Sequence, residues 1–153
     1  MPAVLDLTEF LRADDIHLRF SAPSVIDAIP LLLRPALARR IGDRNVAEQI
    51  IEAAVKREGE TSTRCGSLSL PHTRSTAVPA FVLALGSNAA GVIGEPEPRL
   101  IFAFVSPEAQ RDQHLQLLAT LARLSQNSRM VASIAAATSA GEVIQLLGAP
   151  TPG

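Results

Sequence analysis

Two short apolar runs limit what this chain can fold into. "AVPAFVLALG" (77–86) and "RLIFAFVS" (99–106) are almost free of polar side chains. Each has the length of a strand and falls far short of the roughly 20 residues needed to cross a membrane. An apolar run of this length, bounded by turn residues, reads as a buried strand. The segment between them, "SNAAGVIGEPEP", has the composition of a loop. Pro79 has no N–H to give to a ladder, so it predicts an edge or a bulge in the first run.

Other segments are patterned differently. "IHLRFS" alternates, which predicts a strand with Ile16, Leu18 and Phe20 on one face and His17 turned to solvent. "SLSLPH" alternates too, and its strand is expected to end at Pro71. "LDLTEFLRADD" reads as a short helix or a docking strand. "SVIDAIPLLLRPALARRIG" has helical spacing behind a capping Ser24, but Pro30 and Pro35 predict a kink or a break. "DRNVAEQIIEAAVKREG" is a cleaner helix, with Asp43 as N-cap and Gly59 as its end. "SPEAQRDQHLQLLATLARLSQN" offers Ser106 as cap, Pro107 at the first helical position and Glu108 against the dipole. Its apolar stripe is Leu117, Leu118, Leu121 and Leu124. "SRMVASIAAAT" and "SAGEVIQLLG" are further helices, the second with Ser139 and Glu142 at capping-box spacing.

Helices and strands are thus interleaved. The expected class is α/β, a single domain over 1–153 with a mixed sheet of about four to five strands flanked by helices. Its core runs roughly from residue 5 to 148, and the tail 149–153 is expected to be flexible.

Composition then removes several functions. The net charge is −1, and Tyr and Trp are absent, so nothing marks a nucleic-acid surface. One cysteine allows no internal disulfide. The three histidines lack HxH or HExxH spacing, so no metal site is expected. "MPAVLDLTEFLRADD" has neither the basic start nor the apolar core of a secretory signal. The expectation is a cytoplasmic protein without membrane insertion.

A few residues remain that could carry chemistry. Pro71-His72 places an imidazole at a sheet end, where α/β folds hold their ligands; taken alone it reads more simply as a turn histidine. His114 opens an amphipathic helix at the border of its apolar stripe. Arg57 suits a helix C-terminus and could equally clamp an anion. Ser62 and Thr63 are candidate phosphate-binding hydroxyls or plain turn formers. Cys65 invites a cysteine–histidine reading, but nothing supplies an orienting third group.

Together these residues resemble a family. "KREGETSTRCGSLSLPHTR" is similar to the active-site signature of the fructose/mannitol-type EIIA domains of the bacterial phosphotransferase system, and "SPEAQRDQHLQLLATLARL" to their second signature. The flanking "LDLTEFL" and "SAGEVIQLL" agree, so the resemblance covers nearly the whole chain. It implies that fold and a phosphocarrier in which His72 is the phosphoacceptor, His114 the supporting histidine and Arg57 the stabilising cation. It implies no cofactor. The implied donor is HPr or its nitrogen-branch relative, and the implied recipient is a downstream regulatory protein or a IIB domain.

Departures from the family pattern are local. The turn before the alternating strand is one residue short. Arg64-Cys65 stands where glycine and an apolar residue are usual, Thr73 where glycine follows the histidine, Ser69 for alanine and Gly94 for aspartate. The chain holds this domain and little else, which points to the nitrogen-regulatory kind. The alternatives are a sugar-specific EIIA that feeds a permease IIB domain, and a degenerate protein-binding module that carries no phosphate. A hydrolase using Cys65 or Ser62 is a more distant reading.

Overall fold

The computed structural model describes residues 5–148; the tail 149–153 lies outside the described residues. Six strands form one sheet: β1 (Leu11–Leu18), β2 (Arg64–Cys65), β3 (Leu68–Ser69), β4 (His72–Ser75), β5 (Val82–Ser87) and β6 (Leu100–Pro107). Their order is β1-β5-β6-β3-β2, with β4 also paired to β6. β5 and β6 are antiparallel, whereas β1 runs parallel to β5, and β3 and β4 run parallel to β6. The sheet is therefore mixed, as expected for this chain.

The two apolar runs supply β5 and β6, and every residue of both strands is buried. Alternation sorts them by size. Leu83, Leu85, Leu100, Phe102 and Phe104 face one side, and Val82, Ala84, Ile101, Ala103 and Val105 face the other. The small side is covered by α1 (Val25–Ala38) and α2 (Arg44–Glu60). The large side is covered by α3 (Arg111–Ser125), α4 (Ser128–Ala136) and α5 (Ala140–Gly148). Matching large side chains on one layer with small ones on the next is how a core reaches crystal-like density.

Several expectations are met at their named residues. Asp43 caps α2 through bonds from the amides of Asn45 and Val46. Ser139 Oγ accepts from the Glu142 amide at the start of α5. Ser24 caps α1 by accepting from the Asp27 amide. A short 3-10 helix, Leu7–Glu9, leads into β1.

Others are corrected. α1 is unbroken through Pro30 and Pro35. Each proline frees a carbonyl four residues back, those of Ile26 and Leu31, and both of these residues are exposed. Water can serve the freed groups there, while Ala28, Ile29, Leu32, Leu33, Ala36 and Leu37 stay buried on the opposite stripe. α2 continues past Gly59 to Glu60, and Thr61 N bonds back to the Arg57 carbonyl. Pro79 lies in the loop ahead of β5, and β5 itself is internal to the sheet.

Phe20 does not share a face with Ile16 and Leu18. Arg19 adopts φ +52, the one positive φ at a non-glycine among the described residues, and this reverses the alternation. Phe20 then folds over Gly86, where a β-carbon would lie 2.6 Å from its ring. His17 is half-buried beside Phe20 instead of solvated, with ring centroids 6.0 Å apart. Its Nε2 is buried without a partner, and burial lowers its pKa.

β1 is tied to the end of α1 by charge. Asp15 is fully buried and bridges both Arg39 and Arg40, with Arg40 Nη2 2.9 Å from Oδ2. Arg40 also donates to the Ala36 carbonyl at 2.7 Å.

Candidate functional site

The stretch 68–75 runs along one edge of β6 but is cut in two. β3 pairs Leu68 and Ser69 with Leu100 and Ile101, and β4 pairs His72 to Ser75 with Phe104 to Pro107. Leu70 and Pro71 span the gap, and the Pro71 carbonyl accepts from Phe104 N at 3.1 Å. Pro71 therefore separates two strands, and His72 begins the second rather than ending the first.

His72 is only 5 % exposed. Its ring stacks on Phe104, with centroids 4.7 Å apart and planes 7° from parallel. Its Nδ1 lies 2.6 Å from the Leu70 carbonyl. A carbonyl can only accept, so Nδ1 carries the hydrogen and Nε2 holds a free lone pair. Nε2 has no hydrogen-bond partner among the described residues and is not one of the fully buried polar atoms. The imidazole is thus gripped on one side and open at one atom. Burial lowers its pKa, as does the charge of Arg57, while the Leu70 bond and Glu58 oppose them.

His114 comes from the first turn of α3, with its ring centroid 5.3 Å from that of His72. Its Nδ1 is 2.6 Å from Ser106 Oγ. Ser106 is therefore not the cap of α3: Ser106 and Pro107 complete β6 opposite Arg74 and Ser75, and the helix starts only at Arg111. The helix cap falls to Gln110, which makes no side-chain bond. Burial pushes the His114 pKa down to about 4, helped by His72, Arg74 and Arg57. His114 is neutral at ordinary pH, and the Ser106 hydroxyl can either donate to or accept from its Nδ1; in the tautomer in which Ser106 donates, Nε2 carries the hydrogen and is a hydrogen-bond donor.

The low pKa has a stability consequence with a definite sign. The unfolded histidine takes its proton near 6.5, while the folded one resists until about 4. The stabilisation is whole above about pH 6.5, declines as pH falls towards 4 and is gone below it. Urea unfolding at pH 7.5 and 4.5 should show a larger acid loss for the native chain than for His114→Gln. Equal losses would contradict the placement of His114.

Arg57 is exposed in the last turn of α2 and makes no side-chain bond among the described residues, while its charge reaches both histidines. Ser62 is exposed beside it. Thr63 is otherwise engaged: its hydroxyl donates to Glu58 Oε1 at 2.7 Å and its amide to Oε2 at 3.4 Å. In this structure the hydroxyl hydrogen of Thr63 is thus directed at Glu58. The structure brings His72, His114 and Arg57 together and sets Cys65 elsewhere. The Cys65 thiol lies 3.1 Å from Ser125 Oγ, which itself donates to the Ala122 carbonyl. Ser125 is at the far end of α3, about 16 Å along the axis from His114.

Four residues around the histidines were not placed at the site from sequence: Glu58, Arg74, Phe104 and Ser106. Phe104 hides inside an apolar run, and Ser106 reads equally well as a cap. Arg74 had a signal, since it lies two residues beyond His72 and so on the same face of a strand. Glu58 is buried in a polar stretch, which no periodicity announces.

The departures from the family pattern fall on ordinary backbone. Arg64, Cys65, Ser69 and Thr73 have no positive φ, so none of them occupies a conformation that needs glycine. Gly94 is the reverse case: its φ of +83 suits glycine, and aspartate there would be strained.

Comparison with known proteins defines the class. Residues 9–149 match the family described as "Phosphoenolpyruvate-dependent sugar phosphotransferase system, EIIA 2", and the chain belongs to that family of phosphotransfer components. It is similar to a fructose-specific EIIA component of Haloferax volcanii, at 30 % identity over 126 residues, which is 78 % of this chain and 80 % of the relative. Nitrogen regulatory protein IIA-Ntr from Neisseria meningitidis shares the fold, with a TM-score of 0.74 and 22 % identity over 92 % of this chain and 98 % of that one. IIA mannitol from Escherichia coli shares it too, with a TM-score of 0.67 and 23 % identity over 89 % and 97 %.

Proposed function

We propose that this chain is a one-domain phosphocarrier that accepts a phosphoryl group on Nε2 of His72 from an HPr-like protein and signals by its phosphorylation state. The observation that carries this reading is the bond from His72 Nδ1 to the Leu70 carbonyl, which leaves Nε2 as the nucleophilic nitrogen. In the transfer, the Nε2 lone pair forms the new N–P bond as the bond from phosphorus to the donor's histidine nitrogen breaks. The electron pair of the broken bond stays with the donor, and the Nδ1 proton stays on the Leu70 bond. Charge on the three equatorial oxygens is met by Arg57 and by the Nε2–H of neutral His114. The work is positioning and electrostatics, which is what such transfers need.

A cytoplasmic setting accompanies this reading, since a donor of this kind must reach the site. No helix among the described residues is long and apolar enough to cross a membrane. The second reading is a sugar-specific EIIA that passes phosphate to a IIB domain. The fructose-specific Haloferax relative favours it, and one structural neighbour is a complex of E. coli IIA mannitol with phosphorylated IIB mannitol.

The test is incubation with phosphoenolpyruvate, the first enzyme of the system and an HPr-like donor, followed by mass spectrometry at neutral pH. One acid-labile phosphoryl group on His72 is expected. No label, under conditions that label a standard EIIA, would reduce the chain to a binding module. Transfer from the labelled protein to a IIB domain would favour the sugar-specific reading.

A further inference from the structure

Arg74 leaves the same face of β4 as His72, two residues further on. Along that face His72 lies opposite Phe104, and Arg74 lies opposite Ser106, whose hydroxyl holds His114. Arg57 approaches the histidines from the end of α2, whereas Arg74 approaches them from the sheet itself. Its Nη2 donates to the Glu108 carbonyl at 2.5 Å, which pins the guanidinium against the turn before α3. Its Nε is buried and has no hydrogen-bond partner among the described residues.

A buried guanidinium N–H without an acceptor is costly, and native structures rarely leave one unexplained. Here the orphan belongs to the residue that shares a strand face with His72 and lies opposite Ser106, the serine bonded to His114. The missing acceptor has to be anionic or strongly polar, and it has to enter the space that the histidines share. The charge of Arg74 is already felt there, because it is among the causes that keep His114 neutral.

We propose that Arg74 is a second cation for the phosphoryl group on His72, its Nε–H donating to a non-bridging phosphoryl oxygen. This rests on the reading of His72 as acceptor. The group arrives with its oxygens negatively charged, the N–P bond forms to His72 Nε2 and no proton moves to or from Arg74. Nη2 is anchored before the phosphate arrives, so the guanidinium is already placed, and a local side-chain shift that uncovers the buried Nε–H completes the contact. Lysine cannot replace it, since it lacks a planar fork that can serve Glu108 and the phosphoryl oxygen at once.

The experiment follows the arginine Nε–H resonances of the full chain by 15N NMR before and after phosphorylation from phosphoenolpyruvate. The Arg74 signal is assigned by its loss in Arg74→Lys. It is expected to shift and to exchange more slowly with water once His72 is labelled. Arg74→Lys is expected to be labelled about tenfold more slowly than the native chain, with an unchanged amide spectrum elsewhere. Labelled His72 with an unmoved Arg74 signal, or labelling of Arg74→Lys within about twofold of the native rate, would overturn the role of Arg74 alone. Absence of label on the native chain would remove the His72 reading and this one with it.

Discussion

The His72→Gln protein is expected to fold and to take up no acid-labile phosphate. Glutamine is close in size, and its amide can still donate to the Leu70 carbonyl that now binds Nδ1. It offers no nucleophilic nitrogen. Losing a nucleophile costs far more than losing a supporting group, so labelling should fall on the order of a thousandfold or more. The stability loss should be small, about 1 kcal/mol, because what disappears is chiefly the stack on Phe104. A labelling time course beside a thermal melt separates the two effects. If His72→Gln were labelled as fast as the native chain, His114 would be the acceptor and the roles of the two histidines would have to be exchanged. The geometry argues against that outcome: the His114 pKa of about 4 marks a poorer nucleophile, and its Nδ1 is already bonded to Ser106.

The second large effect lies far from the phosphoryl chemistry. Asp15→Ala should destabilise the fold by about 3–5 kcal/mol. The carboxylate is fully buried and balances Arg40, whose side chain is only 14 % exposed, as well as the freer Arg39. Without Asp15 the Arg40 guanidinium keeps its bond to the Ala36 carbonyl but loses its counter-charge. Arg39 can swing into water, which places the effect toward the lower end. Urea unfolding of Asp15→Ala, Arg40→Met and the double variant measures the pair. The double variant should recover a large part of the loss, because removing both partners leaves no orphaned charge. A loss below about 1 kcal/mol in Asp15→Ala would mean that solvent already screens the pair.

The parts that were legible in the sequence are those set by local pattern. β5 and β6 follow from runs almost free of polar side chains, and α2 and α5 from Asp43 and from the Ser139–Glu142 spacing. His72, His114 and Arg57 lie far apart along the chain, and no periodicity brings them together; that expectation came from the family signatures. What escaped was decided by tertiary context. Pro30 and Pro35 read as helix breakers, but each frees the carbonyl of an exposed residue, and the packed stripe of α1 holds the helix through them. Ser106 has the chemistry of a cap, yet the ladder with β4 claims its backbone and His114 claims its hydroxyl. Phe20 changed faces because of a single residue, Arg19, in an unusual conformation. The burial of His72 depended on Phe104, which in sequence is only one more apolar residue of a strand.

The break at Leu70-Pro71 has one more consequence. A sheet margin is a template on which foreign strands can grow, and long flat margins invite self-association. The outer side of β4 pairs with no strand among the described residues. β4 is only four residues long, and it begins directly after Pro71, a residue that has no amide hydrogen. An incoming chain meets too few consecutive donors and acceptors there to zip on. The proline that puts His72 at the head of β4 also keeps that rim from seeding aggregates, so a site that must stay open to its partners need not be open to copies of itself.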